Sequence, residues 1–144
     1  MLGLDIPEKT VVVADLEAGI GTLTRLGETK VDAIVIVAEP TVKSLEVASR
    51  AATLATDLTS GAVVVVANRV VDDADRAAVE RSLPDRAVLL VPDDDAVPAA
   101  DRDDRAPLDA SPGSPAMLAL RSLAGMLLPD RLEALQPVDE TGDG

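Results

Sequence analysis

The sequence predicts an α/β domain: a parallel sheet with flanking helices. Two observations carry that reading. Short apolar runs rich in valine and isoleucine alternate with segments whose apolar residues recur at helical spacing, giving strand, helix, strand, helix, strand. One run, residues 62–67, is continuously apolar rather than alternating, as in a strand covered on both faces. At 144 residues the chain is one domain long, enough to enclose a core.

The elements follow in order. Leu2, Leu4 and Ile6 give the start some apolar character, and Pro7 ends whatever forms there. Val11-Val12-Val13-Ala14 reads as the first buried strand, delivering Asp15 to the carboxyl edge, where open α/β sheets bind ligands. Gly19 and Gly21 make a turn, and residues 22–26 a short helix. Residues 31–38 are the second strand, ended by Glu39-Pro40. Thr41 then caps a helix whose apolar face is Leu45, Ala48, Ala52 and Ala55, and Thr59-Ser60-Gly61 stops it.

Residues 62–67 form the third strand. Asp72-Asp73-Ala74-Asp75 opens the next helix with acids at its positive end, and Ala78, Val79 and Leu83 are its apolar positions before Pro84. Residues 87–91 are the fourth strand, and residues 92–98 an acidic loop leading to a short helix from Ala99. Residues 102–114 read as an irregular surface loop. Ser114 caps a last long helix with Pro115 in its first position and a stripe of Leu120, Leu123, Ala124 and Leu127. A short helix over residues 130–135 precedes an acidic tail, residues 137–144, expected to be disordered.

Composition excludes several chemistries. There is no Phe, Tyr or Trp, so Val, Leu, Ala and Ile must build the core. Without cysteine or histidine there are no disulfides, thiolate metal sites, usual zinc sites or histidine-based catalysis. A net charge of −13 and a pI near 4.2 argue against nucleic-acid backbones and anionic membranes as partners. The acidity fits either a high-salt cytoplasm or a GC-rich codon bias. No targeting signal is visible, and the longest apolar runs are too short to span a bilayer, so a cytoplasmic location is expected.

Four segments carry a family resemblance. Asp15-Leu16-Glu17-Ala18-Gly19-Ile20, followed by Arg25, resembles the D-x-E-A-G switch segment of the MinD/ParA group of P-loop ATPases. It is most similar to the CooC-like branch, which assists maturation of carbon monoxide dehydrogenase. Glu39-Pro40-Thr41-Val42-Lys43-Ser44-Leu45 resembles that group's P-x-x-x-S-L helix opening. Ala67-Asn68-Arg69-Val70 resembles its strand-end N-K/R-V, and Val91-Pro92-Asp93-Asp94-Asp95-Ala96-Val97 its I-P-x-D-x-x-V segment. The series spans about residues 11–128.

The resemblance implies a partial SIMIBI-type P-loop NTPase domain of about four or five strands over residues 1–136, binding ATP or ADP with Mg2+. Asp15 would orient a magnesium-bound water and Gly19 let backbone approach the terminal phosphate. Glu17 would be a second acid near the metal or a solvent-facing carboxylate. Asn68, the chain's single asparagine, offers the donor and acceptor that suit the edge of adenine, or else forms a turn. Arg69 would stack on the base or lie on the surface. Pro92 and Asp94 would line the base pocket or form the loop after the fourth strand. The Asp93-Asp94-Asp95 triplet reads as a solvated acidic turn, since an EF-hand loop needs alternating ligands and a distal glutamate. Lys43 and Ser44 at a helix start suggest a weak anion nest.

The family's Gly-rich loop is missing. Only Met1 to Thr10 precede the first predicted strand, and no G-x-x-x-x-G-K-[ST] pattern occurs. The lysines are Lys9, Lys30 and Lys43, none in a Gly-rich loop. The Cys-x-Cys metal pair of the CooC-like proteins is absent too, which disfavours thiolate nickel delivery. Hydrolysis by this chain alone is therefore not expected, because positioning and neutralising phosphates carry most phosphoryl-transfer catalysis.

In the resembled family the loop-bearing strand lies between the two strands read here at residues 11–14 and 31–37. Its loss leaves either direct pairing, a strand from another chain, or a poor fill by residues 2–6. Unpaired backbone groups inside a sheet each cost about 1–3 kcal/mol, so exposed apolar surface and self-association, or a partner chain supplying the P-loop half, are expected. A non-catalytic scaffold that has lost the nucleotide is the alternative. A response-regulator-like receiver ranks last, because Val91 is followed by Pro92 and not by a lysine.

Overall fold

A computed structural model of the chain describes residues 10–16, 31–58 and 61–128. The element order is β1 (Ala33–Ala38), α1 (Val42–Leu58), β2 (Ala62–Val70), α2 (Asp73–Ser82), β3 (Ala87–Pro92), α3 (Ala96–Arg102), α4 (Pro107–Ala110) and α5 (Pro115–Met126). The fold is α/β, and among the described residues its sheet has three strands, all parallel, in the order β1-β2-β3.

Each strand meets the next in sequence through one helix. Right-handed crossovers that always step the same way place successive helices on the same face. That is where α1 and α2 lie. Their shared core joins Leu45, Ala48 and Ala52 of α1 to Val65, Ala67 and Val70 of β2 and to Val79 and Leu83 around α2. The predicted α1 face is the one buried, and Thr41 Oγ1 accepts from the Ser44 amide at 3.3 Å as its cap. Asp72 likewise caps α2, accepting from the Asp75 amide at 2.9 Å. The opposite face is covered by α5, whose Ala116 and Met117 pack with Val66 and Val91. No charged or polar residue is buried among the described residues.

At the start of β2 the backbone comes unusually close to the chain entering β1. The Ala62 amide donates to the Asp32 carbonyl at 2.9 Å. A β-carbon on Gly61 would stand 2.5 Å from the Val31 carbonyl oxygen and 2.7 Å from that of Asp32. Only glycine fits this crossing without moving backbone.

Five sequence expectations need correction. Residues 10–16 form no strand, and Val11, Val12 and Val13 are exposed, so the expected first strand is not part of the described sheet. A β-branched run has strand propensity, but a strand exists only through a paired neighbour, and none is hydrogen-bonded to it. The third strand runs on past Ala67 to Val70. The acidic loop shortens, because α3 begins at Ala96, and α4 forms inside the expected irregular stretch. The stripe of α5 is rotated: Leu120 and Ala124 are exposed, Leu123 and Leu127 half-buried, and Ala116 and Met117 fully buried.

The expected helices at residues 22–26 and 130–135, the contribution of Leu2, Leu4 and Ile6, and the acidic tail lie outside the described residues. No helix of the described residues is long and apolar enough to cross a membrane.

The carboxyl edge of the sheet as candidate functional site

Three parallel strands that end together bring their following residues to one edge. Glu39 follows β1, Asn68 and Arg69 lie near the end of β2, and Pro92, Asp93 and Asp94 end and follow β3. The β2–β3 register explains how they meet. Ala67 is opposite Leu90 but Val70 is opposite Pro92, so β2 uses three steps where β3 uses two. The extra residue is a β-bulge, a feature that re-aims side chains. Arg69 sits in it with φ of 61°, in the left-handed region that a long side chain seldom adopts.

The bulge turns Arg69 across the strand ends. Its Nε donates to Asp93 Oδ1 at 3.2 Å and its Nη1 to Glu39 Oε1 at 3.4 Å. One guanidinium thus ties the ends of β1 and β3 through β2. The hydrogen bond and charge of Asp93, then the charge of Glu39, raise the Arg69 pKa above its ordinary value. All three side chains are about half exposed, so solvent screens the pairs and their value lies in geometry more than in stability.

Asp94 has a different task. Its Oδ1 accepts from the Ala96 amide and its Oδ2 from the Ala116 amide, both at 2.9 Å. It therefore caps the first turn of α5 from across 22 residues of sequence. Ser114, the expected cap, makes no capping bond. Its Oγ is buried without a hydrogen-bond partner of good geometry, though it lies near enough to Asp94 to favour the charged carboxylate. The Ala116 amide first, then Ala96 and Ser114, hold the Asp94 carboxyl below its ordinary value.

Asn68 precedes Arg69 and is half-buried. Among the described residues its side-chain amide takes part in no hydrogen bond, and neither of its polar atoms is sealed from solvent. An amide held at a strand end with donor and acceptor both uncommitted can read a flat polar edge.

The structure gathers some predicted site residues and not others. Asn68, Arg69, Pro92 and Asp94 lie at or just past the ends of β2 and β3. Asp15 is exposed in a segment without regular structure, so no described strand delivers it there. Glu17 and Gly19 lie outside the described residues. The anion nest at Lys43 and Ser44 is closed: the Ser44 hydroxyl accepts from the Glu39 amide at 3.0 Å, and the Ser44 amide is taken by Thr41.

The acidic triplet also divides its work. Asp93 pairs with Arg69, Asp94 caps α5, and Asp95 is the N-cap of α3. Among the described residues no three His, Cys, Asp or Glu side chains are grouped to hold a metal ion. A shallow depression lined by Ser49, Arg50, Thr53, Leu54 and Asp57 lies on the second half of α1, toward the opposite end of the sheet.

Glu39 and Asp93 as partners of Arg69 are not visible in sequence spacing, being 30 and 24 residues away. The one available signal was an acid just past each apolar run. In comparison with known proteins, the chain matches no protein-family model and no curated protein.

Proposed function

We propose that this chain is the base-binding part of a nucleotide-binding domain of MinD/ParA type, similar to the CooC-like branch, and that it does not hydrolyse ATP by itself. The observation that supports this reading most is Asn68. It is half-buried at a bulge on the carboxyl edge of a parallel sheet, with its amide uncommitted. That edge is where open α/β sheets take their ligands. Asn68 would meet the polar edge of adenine, with Arg69 and Pro92 bordering the base. Bound ATP or ADP with Mg2+ would supply the phosphate and metal chemistry. The residues present fit the base and not the phosphates, because the chain has no Gly-rich loop and its Lys43–Ser44 turn is internally bonded. Either self-association or a partner chain carrying the P-loop half would cover the open edge of the sheet, in the cytoplasm.

Calorimetric titration with MgATP and MgADP tests the proposal. Micromolar binding that is lost in Asn68→Ala is the expected result. Absence of heat at millimolar nucleotide overturns it and favours a scaffold acting through contacts. That second reading has its own support: Arg69 and Asp94 are both engaged within the fold.

A further inference from the structure

The other end of the molecule's chemistry is apolar. Among the described residues β1 is an edge strand, hydrogen-bonded to β2 on one side only. Soluble proteins protect such edges with lysine, proline, a bulge or an inward charge. β1 reads Ala-Ile-Val-Ile-Val-Ala and has none of these, and its pairing with β2 is regular throughout. Its side chains facing away from α1 are also uncovered, Val35 at 37% and Val37 at 65% exposure. The α5 helix covers that face over β3, leaving the β1 end bare.

The same chain presents a second uncovered apolar feature. Val11, Val12 and Val13 are exposed at 70%, 59% and 88%, in a stretch without regular structure. Three consecutive β-branched residues and an alanine have the composition of a buried strand and none of the hydrogen bonds of one. Among the described residues nothing pairs with this run or with the free side of β1, so donor run and acceptor edge are both open there.

We infer that residues 11–14 of one copy add to the β1 edge of a second copy as a parallel fourth strand, and that the second copy returns the contact. Such reciprocal exchange is a low-cost route to a twofold dimer. A second copy is the occupant because each chain carries both halves of the pairing. Charge points the same way: a chain of net −13 resists broad face-to-face docking, whereas neither pairing strand contains a charged residue. In the register that sets Val12 beside Val35 and Ala14 beside Val37, the sequence also sets Lys9 beside Asp32, an opposite-charge pair at the strand start. Val12 and Ala14 then lie on the face where Val35 and Val37 are bare.

The full-length chain tests this by light scattering over a concentration series, with amide hydrogen exchange on the same samples. The expected result is a dimer in which the amides of residues 11, 13, 35 and 37 exchange slowly. Val13→Pro deletes one ladder donor, because β1 turns the backbone of Val35 and Val37 to its free edge and the Val35 carbonyl then faces the Val13 amide; the segment lies outside the described elements, so the far-UV circular dichroism stays unchanged. It should raise the dimer dissociation constant roughly tenfold or more and restore fast exchange at residues 11, 35 and 37. A chain that stays monomeric at every concentration overturns the inference, whether residues 11–14 are then protected, by docking on their own β1, or unprotected. So does a dimer indifferent to Val13→Pro, whose interface would lie elsewhere.

Discussion

Gly61→Ala is the substitution that asks most of the fold for the fewest atoms. The added methyl would lie 2.5 Å from the Val31 carbonyl oxygen, 2.7 Å from the Asp32 oxygen and 2.8 Å from the Asp32 carbonyl carbon, where real β-carbons essentially never come within 3.0 Å. All three obstacles are backbone, so no side chain can swing aside. The strain is one of contact and not of dihedral angle, and relief requires β1 and β2 to separate at their start. That separation also stretches the 2.9 Å bond from the Ala62 amide to the Asp32 carbonyl. Forced overpacking costs about 1–3 kcal/mol and a weakened hydrogen bond about 1 more, so a loss of about 2–4 kcal/mol is expected. Against a typical total of about 5–15 kcal/mol this is a large fraction. Gly125→Ala is the control: it lies inside α5 with nothing within 4 Å of the new methyl, and should gain about 0.5–1 kcal/mol. Urea denaturation followed by far-UV circular dichroism is the assay, because the chain has no aromatic residue to report by fluorescence. A Gly61→Ala protein as stable as the parent refutes the reasoning, as does a Gly125→Ala protein equally weakened.

Two further outcomes follow from the carboxyl edge. Asp94 has its pKa lowered in the folded chain, so its contribution to stability is complete above the unfolded carboxylate value, about 4, and is lost as pH falls through the folded value. In Asp94→Asn, urea midpoints measured from neutral to strongly acid pH should fall less on acidification than the parent's; parallel curves would show that Asp94 does not tie α5 to the end of β3. At Arg69 the left-handed φ of 61° favours glycine, so Arg69→Gly should be more stable than Arg69→Ala. That ranking should persist in high salt, which screens the Glu39 and Asp93 pairs, and equal stabilities would count against a strained bulge.

What was legible in the sequence was what a short window contains. The α1 face declared itself through Leu45, Ala48, Ala52 and Ala55 at helical spacing, and the α2 start through the acids Asp72, Asp73 and Asp75 at its positive end. Asn68, Pro92 and their neighbours were placed at one edge because parallel strands joined by helices must end together. The failures needed knowledge of a neighbour. Val11 to Val13 carry strand propensity, but propensity does not supply a pairing partner. The phase of α5 does not follow its leucines, because contact with Val66 and Val91 selects Ala116 and Met117 as its buried face. No spacing rule reaches from Asp94 to the Ala116 amide, and no residue preference announces an arginine in a left-handed bulge.

The alanine face of α1 has a consequence for how the core tolerates change. Ala48, Ala52 and Ala55 are buried with no rotatable side chain, and their valine neighbours on β2 have a single stiff torsion. Ordering this interface therefore forfeits little side-chain entropy, which offsets the modest apolar area each residue contributes. The same economy leaves few adjustable parts, since only Leu45 and Leu83 among the fully buried residues of this cluster have more than one side-chain torsion. Where a leucine-rich or methionine-rich core absorbs an added methyl by changing rotamer, this one adjusts mainly through the distance between helix and sheet. A larger residue at Ala52 would lift α1 bodily from the sheet, carrying the Thr41 cap and Ser44 with it, and so would be registered at Glu39 on the carboxyl edge of the sheet.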